Sequence, residues 1–87
     1  MADESLFEFP CEFPIKMMGP DTPRFHAVAR ALVESHTGPL DDGRIRHASS
    51  RNGRFISITV TVTAQSRLQL DEIYRDLSAS EDILMVL

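Results

Sequence analysis

From Arg44 to Thr63 the chain alternates polar and apolar residues on both sides of Asn52-Gly53, and this stretch constrains the fold more than any other. Asn-Gly favours a two-residue type I′ turn, because both central positions need positive φ, and the run Phe55 to Thr63 has the period of two that a half-covered strand requires. The stretch therefore predicts a β-hairpin whose register is set by the turn. Arg51 then faces Arg54, Ser49 faces Ile56, His47 faces Ile58 and Ile45 faces Val60 on the covered side. Ser50 with Phe55, Ala48 with Ser57, Arg46 with Thr59 and Arg44 with Thr61 fall on the other side.

The flanking segments carry helical and strand periods in turn. Phe13, Ile15 and Met17 lie on one face of a short strand over 13–18, where Pro14 suits the first residues better than the middle. Gly19-Pro20-Asp21-Thr22-Pro23 breaks that strand and offers Asp21 or Thr22 as the cap of a helix with Pro23 in its first turn. Phe25, Val28, Ala29, Leu32 and Val33 form its apolar stripe, which ends near His36 to Gly38. A loop from Thr37 to Gly43 leads to the hairpin. Beyond it, Ser66 and Gln69 have capping-box spacing, and Leu70, Ile73, Tyr74 and Leu77 form a second stripe. Asp82 to Leu87 closes the chain as an apolar strand with Ile83, Met85 and Leu87 on one side and Leu84 and Val86 on the other.

Strand, helix, strand, strand, helix, strand restricts the topology sharply. Two right-handed crossovers interleave into a four-stranded antiparallel sheet ordered 4-1-3-2 with both helices on one face, an α+β arrangement of the ferredoxin-like kind. The other face is left uncovered. Arg44, Arg46 and Phe55 are expected there beside an apolar patch of Leu84, Val86 and Met18, and such a patch marks a contact surface.

Composition narrows the class of function. A chain of 87 residues holds a single core, and a formal charge of -4 argues against bulk affinity for nucleic acid or anionic membrane. Residues 1–11 form an acidic arm bearing Phe7 and Phe9, and 12–87 form the domain. No apolar run is long enough to span a bilayer, and the N-terminus has neither a basic nor an apolar leader region, so the expected compartment is the cytoplasm. Cys11, His26, His36 and His47 show no ligand spacing, so neither a metal nor another cofactor is expected. His47 is expected on the covered side as a structural histidine, and no nucleophile, base and orienting group converge, which points away from an enzyme.

Several short motifs together resemble the YbeD-like family of small bacterial proteins. They are Phe9-Pro10, the run Lys16-Met17-Met18-Gly19, Ser49-Ser50 with Ser57-Ile58-Thr59 in the hairpin, Ile73-Tyr74-Arg75-Asp76-Leu77, and the closing Met85-Val86-Leu87. The resemblance covers nearly the whole chain. It implies an ACT-like, ferredoxin-like βαββαβ fold and a regulatory role, with a link to lipoate metabolism for some members. ACT domains bind an amino acid beside a glycine in the first strand–helix loop, which places a small-molecule ligand at Gly19, Asp21 and Thr22.

The expected role is thus a non-catalytic regulatory or interaction module that senses a metabolite or controls a metabolic enzyme. Its expected partner is a protein or a second copy of itself, held by Arg44, Arg46, Phe55, Leu84 and Val86. One alternative is a single-stranded RNA binder, because Arg51 to Ile58 partly imitates the basic-aromatic octamer of RNA-recognition domains, although Phe55 alone cannot stack several bases. A second is an acylphosphatase-type hydrolase with Arg24 at the first loop, against which Pro20 and Pro23 remove amides needed to cradle phosphate. The hairpin arginines also serve as guards of the edge strand.

Overall fold

The computed structural model describes residues 8–87. A long central pair, β1 (Cys11–Pro20) and β3 (Phe55–Ala64), runs antiparallel from Cys11↔Ala64 to Pro20↔Phe55. β2 (Ile45–Ser49) flanks β3, and β4 (Met85–Val86) flanks β1, giving the order β2-β3-β1-β4. This is the expected 4-1-3-2 order read from the opposite edge. The helices α1 (Pro23–Thr37) and α2 (Arg67–Ala79) connect the strands. Of the acidic arm, 1–7 with Phe7 lie outside the described residues, whereas Phe9 packs against the core and Cys11 already opens β1.

Period two in the strands and a 3.6-residue period in the helices meet in one core. Along β3, Ile56, Ile58, Val60, Val62 and Ala64 are buried, and Ile15 and Met17 of β1 join them. Phe25, Ala29 and Val33 of α1 and Leu70, Ile73 and Leu77 of α2 pack on that same face. Both helices therefore cover one side of the sheet. Thr22 Oγ1 accepts from the Phe25 amide and Ser66 Oγ from the Gln69 amide, which satisfies a donor at each helix start. The Gln69 side chain does not return to Ser66 as a capping box would; its Oε1 accepts from the Gln65 amide and its Nε2 donates to His36 O at the end of α1.

Pro14 stands fourth in the ten residues of β1, further inside than its chemistry suggests. Lys16 O and Met18 O accept from Leu87 and Leu84, so even-numbered residues of β1 turn their backbone groups toward β4. β4 pairs only with Met17 and Met18. Pro14 thus lacks its N–H where, among the described residues, no strand remains to receive it.

The hairpin ladder has the expected register, from Ile45↔Val60 to Ser49↔Ile56. The turn differs. Gly53 has φ 75°, but among the described residues no non-glycine has positive φ, so Asn52 does not adopt the type I′ conformation. Instead Gly53 N–H donates to Ser50 O, and Ser50 N–H donates to Phe55 O. Arg51 to Arg54 form a longer loop in which Arg51 and Arg54 are not ladder partners. Two side chains hold it: Asn52 Oδ1 accepts from the Arg54 amide, and Ser50 Oγ accepts from the Phe55 amide. These local bonds replace those that a two-residue turn would leave to the ladder.

The last strand is corrected in phase. Only Met85 and Val86 join the ladder, and Val86 pairs with buried Met17 while Met85 pairs with Met18. Val86 therefore faces the helices and packs against the core, and Met85 faces the open side. Ile83 is buried as expected, but the backbone bends at Leu84, so alternation counted through that residue loses register.

Candidate functional site

The residues expected to receive a small molecule are largely occupied by their own chain. Gly19 is not in a loop but in β1, and a Cβ there would lie 2.6 Å from the Phe25 ring. Its lack of a side chain serves packing. Asp21 N–H donates to Arg54 O and Thr22 N–H to Pro20 O, Pro23 has no N–H, and Thr22 Oγ1 caps the Phe25 amide. Asp21 Oδ1 lies 3.1 Å from His26 Nε2. The loop is thereby tied to the tip of the hairpin, while the side chains of Asp21, Thr22 and Pro23 remain exposed.

On the uncovered sheet face the expected residues separate. Lys16, Arg46, Ser57 and Thr59 lie together on adjacent strands, with Phe55 at one end, 40% exposed. Arg44 precedes β2, in a 3-10 turn over Asp42–Arg44. Its guanidinium bonds Glu12 Oε1 at 2.7 Å and Thr61 O at 3.1 Å, and Thr63 Oγ1 donates to Glu12 Oε2 at 2.8 Å. Arg44 first, then the Thr63 hydroxyl, holds the Glu12 carboxyl below its ordinary range. Leu84 is 62% exposed but outside the ladder, and Val86 is on the other face. The apolar part of the open face is instead Met18 with Met85, beside exposed Leu87.

A third place was not legible in the sequence: a groove of about 270 Å³ between α1 and β2. Its floor is Ile45, Ile58 and Val60, and its walls carry His26, Arg30 and His47. The helix does not extend over β2, so His47 lies on the helix side yet is exposed, not the covered structural histidine expected. The His26 and His47 rings stand with centroids 5.0 Å apart. Arg30 is fixed by Glu34 Oε2, Asp42 Oδ1 and Leu40 O. The Leu40 amide, then Arg30, holds the Glu34 carboxyl below its ordinary range. No sequence motif links His26 to His47; only the hairpin register combined with the helix period brings them to one side.

Chemically, these surfaces offer backbone and side-chain recognition. Among the described residues, no group of three or more His, Cys, Asp and Glu is placed to hold a metal ion, and no helix is long and apolar enough to cross a membrane.

The comparisons agree with the extent of the motifs. Residues 4–87 match the family described as "Protein of unknown function (DUF493)". The UPF0250 protein NE1487 of Nitrosomonas europaea is 40% identical over 87 residues, the full length of both chains. A UPF0250 protein of Paraburkholderia phytofirmans is 44% identical over 85 residues, 98% of this chain and 96% of its own, and one of Chromobacterium violaceum is 44% identical across the whole of both. No solved structure matches significantly. With a family match and relatives that both run essentially end to end, the chain belongs to the DUF493 family, the YbeD-like group of uncharacterised bacterial proteins that its motifs resemble.

Proposed function

We propose that this chain is a non-catalytic, cytoplasmic regulatory or interaction module of the ACT-like, ferredoxin-like kind, and that it controls a metabolic protein by contact through its uncovered sheet face. The observation that carries this reading is the composition of that face. Met18 and Met85 are paired apolar residues over which neither α1 nor α2 lies, Leu87 is 58% exposed beside them, and Arg46, Lys16 and Phe55 supply a polar and aromatic border. An apolar centre with a polar rim is the ordinary anatomy of a protein contact. A patch of a few hundred Å² supports a weak contact, of micromolar order or looser.

Light scattering across a concentration series, with amide shifts recorded in parallel, tests it. A second copy or a protein partner on this face shifts Met18, Met85 and Phe55, and Met85→Thr with Leu87→Thr abolishes the contact while the fold survives. Shifts at Asp21 and Thr22 with an amino acid assign the sensing role to the loop. Shifts around Arg46 and Phe55 with an RNA oligonucleotide replace the protein partner by RNA. A monomer at every concentration, unresponsive to all of these, defeats the proposal.

A further inference from the structure

We infer that the outer edge of β2 is a second docking surface, which takes an extended segment of a partner protein by strand addition, the segment alternating apolar with acidic residues. It deepens the interaction-module reading but uses a different surface.

The backbone comes first. Ser50 N–H donates to Phe55 O across the hairpin, so with period two Arg46 and Ala48 also turn their backbone groups toward β3. His47 and Ser49 then direct their amides and carbonyls outward. β2 pairs with β3 alone among the described residues, so these groups form a ready template for another strand. The Ile45 amide is already used, donating to Asp42 O, which marks the lower end of the template.

Side chains select the occupant. A residue of the added strand that faces the helix side stands over the groove, whose floor of Ile45, Ile58 and Val60 suits an apolar side chain. At about 270 Å³ the groove is smaller than the ~300–1,000 Å³ of drug-sized ligand sites, as an anchor pocket for one side chain would be. The neighbouring residues of the segment face the open side, next to Arg46. Arg46, Arg51 and Arg54 form no ion pair with any described residue, whereas Arg24, Arg30, Arg44 and Arg67 all do. Of the five Lys and Arg side chains without an ion pair among the described residues, these three stand along β2 and its turn, Lys16 lies on β1 and Arg75 on α2, so the largest share of the uncompensated positive charge is at this edge, which favours acidic side chains in the partner. The same charge opposes a second copy of β2 on this edge, because two basic edges would repel.

An acetylated octapeptide alternating glutamate and leucine is the probe, with its lysine–leucine counterpart as control. Expected are amide shifts and slowed exchange at His47 and Ser49, shifts at His26, and affinity for the acidic peptide only. Arg46→Glu should weaken binding about tenfold. His47→Pro removes an outward amide at an edge position that tolerates proline, and should abolish binding, whereas His47→Ala keeps the amide and should retain most of it. If His47→Pro does not fold, Arg46→Glu still decides. Met85→Thr with Leu87→Thr, which disables the open face, should leave peptide binding unchanged, so the two surfaces fail separately. Equal affinity for the lysine peptide, shifts confined to Met18 and Met85, dimerisation through His47 and Ser49, or no shift at millimolar peptide each overturns the inference.

Discussion

Gly19 lies so close to the Phe25 ring that a Cβ at Gly19 would approach Cε1 at 2.6 Å and Cδ1 at 2.7 Å. Phe25 is 1% exposed and sits at the start of α1, where Thr22 Oγ1 accepts from its amide, so the ring cannot relieve a clash by turning out into solvent. This contact sets how tightly the first turn of α1 seats on β1.

Gly19→Ala should therefore destabilise by about 1–3 kcal/mol, the usual cost of overfilling a packed core. Urea unfolding measures it. A midpoint equal to that of the parent would mean that the ring adjusts without cost.

At Gly53 the cost has a different origin. Its φ of 75° is unfavourable for L-residues, but no atom of the described residues lies within 4 Å of a Cβ built there. Gly53→Val should cost about 1–2 kcal/mol from backbone strain alone, and Gly53→Asn less than about 1 kcal/mol, since asparagine tolerates this region. Thermal midpoints of the two variants, compared with the parent, separate strain from contact. Equal losses would contradict the assignment.

Leu84 and Val86, alike in the sequence, should respond unequally. Leu84→Thr should change stability by less than about 0.5 kcal/mol, as an exposed substitution does. Val86→Thr should cost about 1 kcal/mol, because it places a hydroxyl against the core opposite Met17. Chemical denaturation of both variants checks the order. A larger loss at Leu84 would restore the opposite phase of the last strand.

Two pH limbs follow from the carboxylates and from Tyr74. The Leu40 amide and Arg30 lower the folded pKa of Glu34, so its contribution is present above the unfolded value of about 4.3 and is lost as pH falls through the folded value. Glu12 acts in the same direction through Arg44. Burial raises the pKa of Tyr74, so the folded state keeps a proton that the unfolded state has released; stability is constant below about pH 10 and declines above it. Midpoints measured from pH 3 to 11 should show both limbs. Glu34→Gln should flatten the acid limb and Tyr74→Phe the alkaline one.

Where the pattern was regular, the sequence was sufficient. The alternation from Ile45 to Ser49 and from Phe55 to Thr63 determined the ladder residue by residue, because a slip of one position would turn Ile56, Ile58 and Val60 outward. Asn52-Gly53 taken alone implies a two-residue turn, whereas Ser50, whose hydroxyl accepts from the Phe55 amide, lengthens the loop. In the last strand a uniform apolar run carries no phase, and the Leu84 amide at the bend donates to Met18 O, far away in the chain. Gly19 looked like part of a loop because its reason for being glycine, the Phe25 ring, lies six positions on in another element. The groove at His26 and His47 depends on where α1 stops covering the sheet, a matter of tertiary geometry alone.

Pro14 gives the sheet two edges of different temperament. Past the short β4, the exposed margin of β1 offers an incoming chain the Glu12 amide and then a position with no donor at all, so a strand attempting to add there cannot complete its pairing. The margin at β2 has no such interruption between His47 and Ser49. A sheet with one silent border and one receptive border can add a strand on one side only, so a partner strand taken up at β2 opens no path for growth into a fibre.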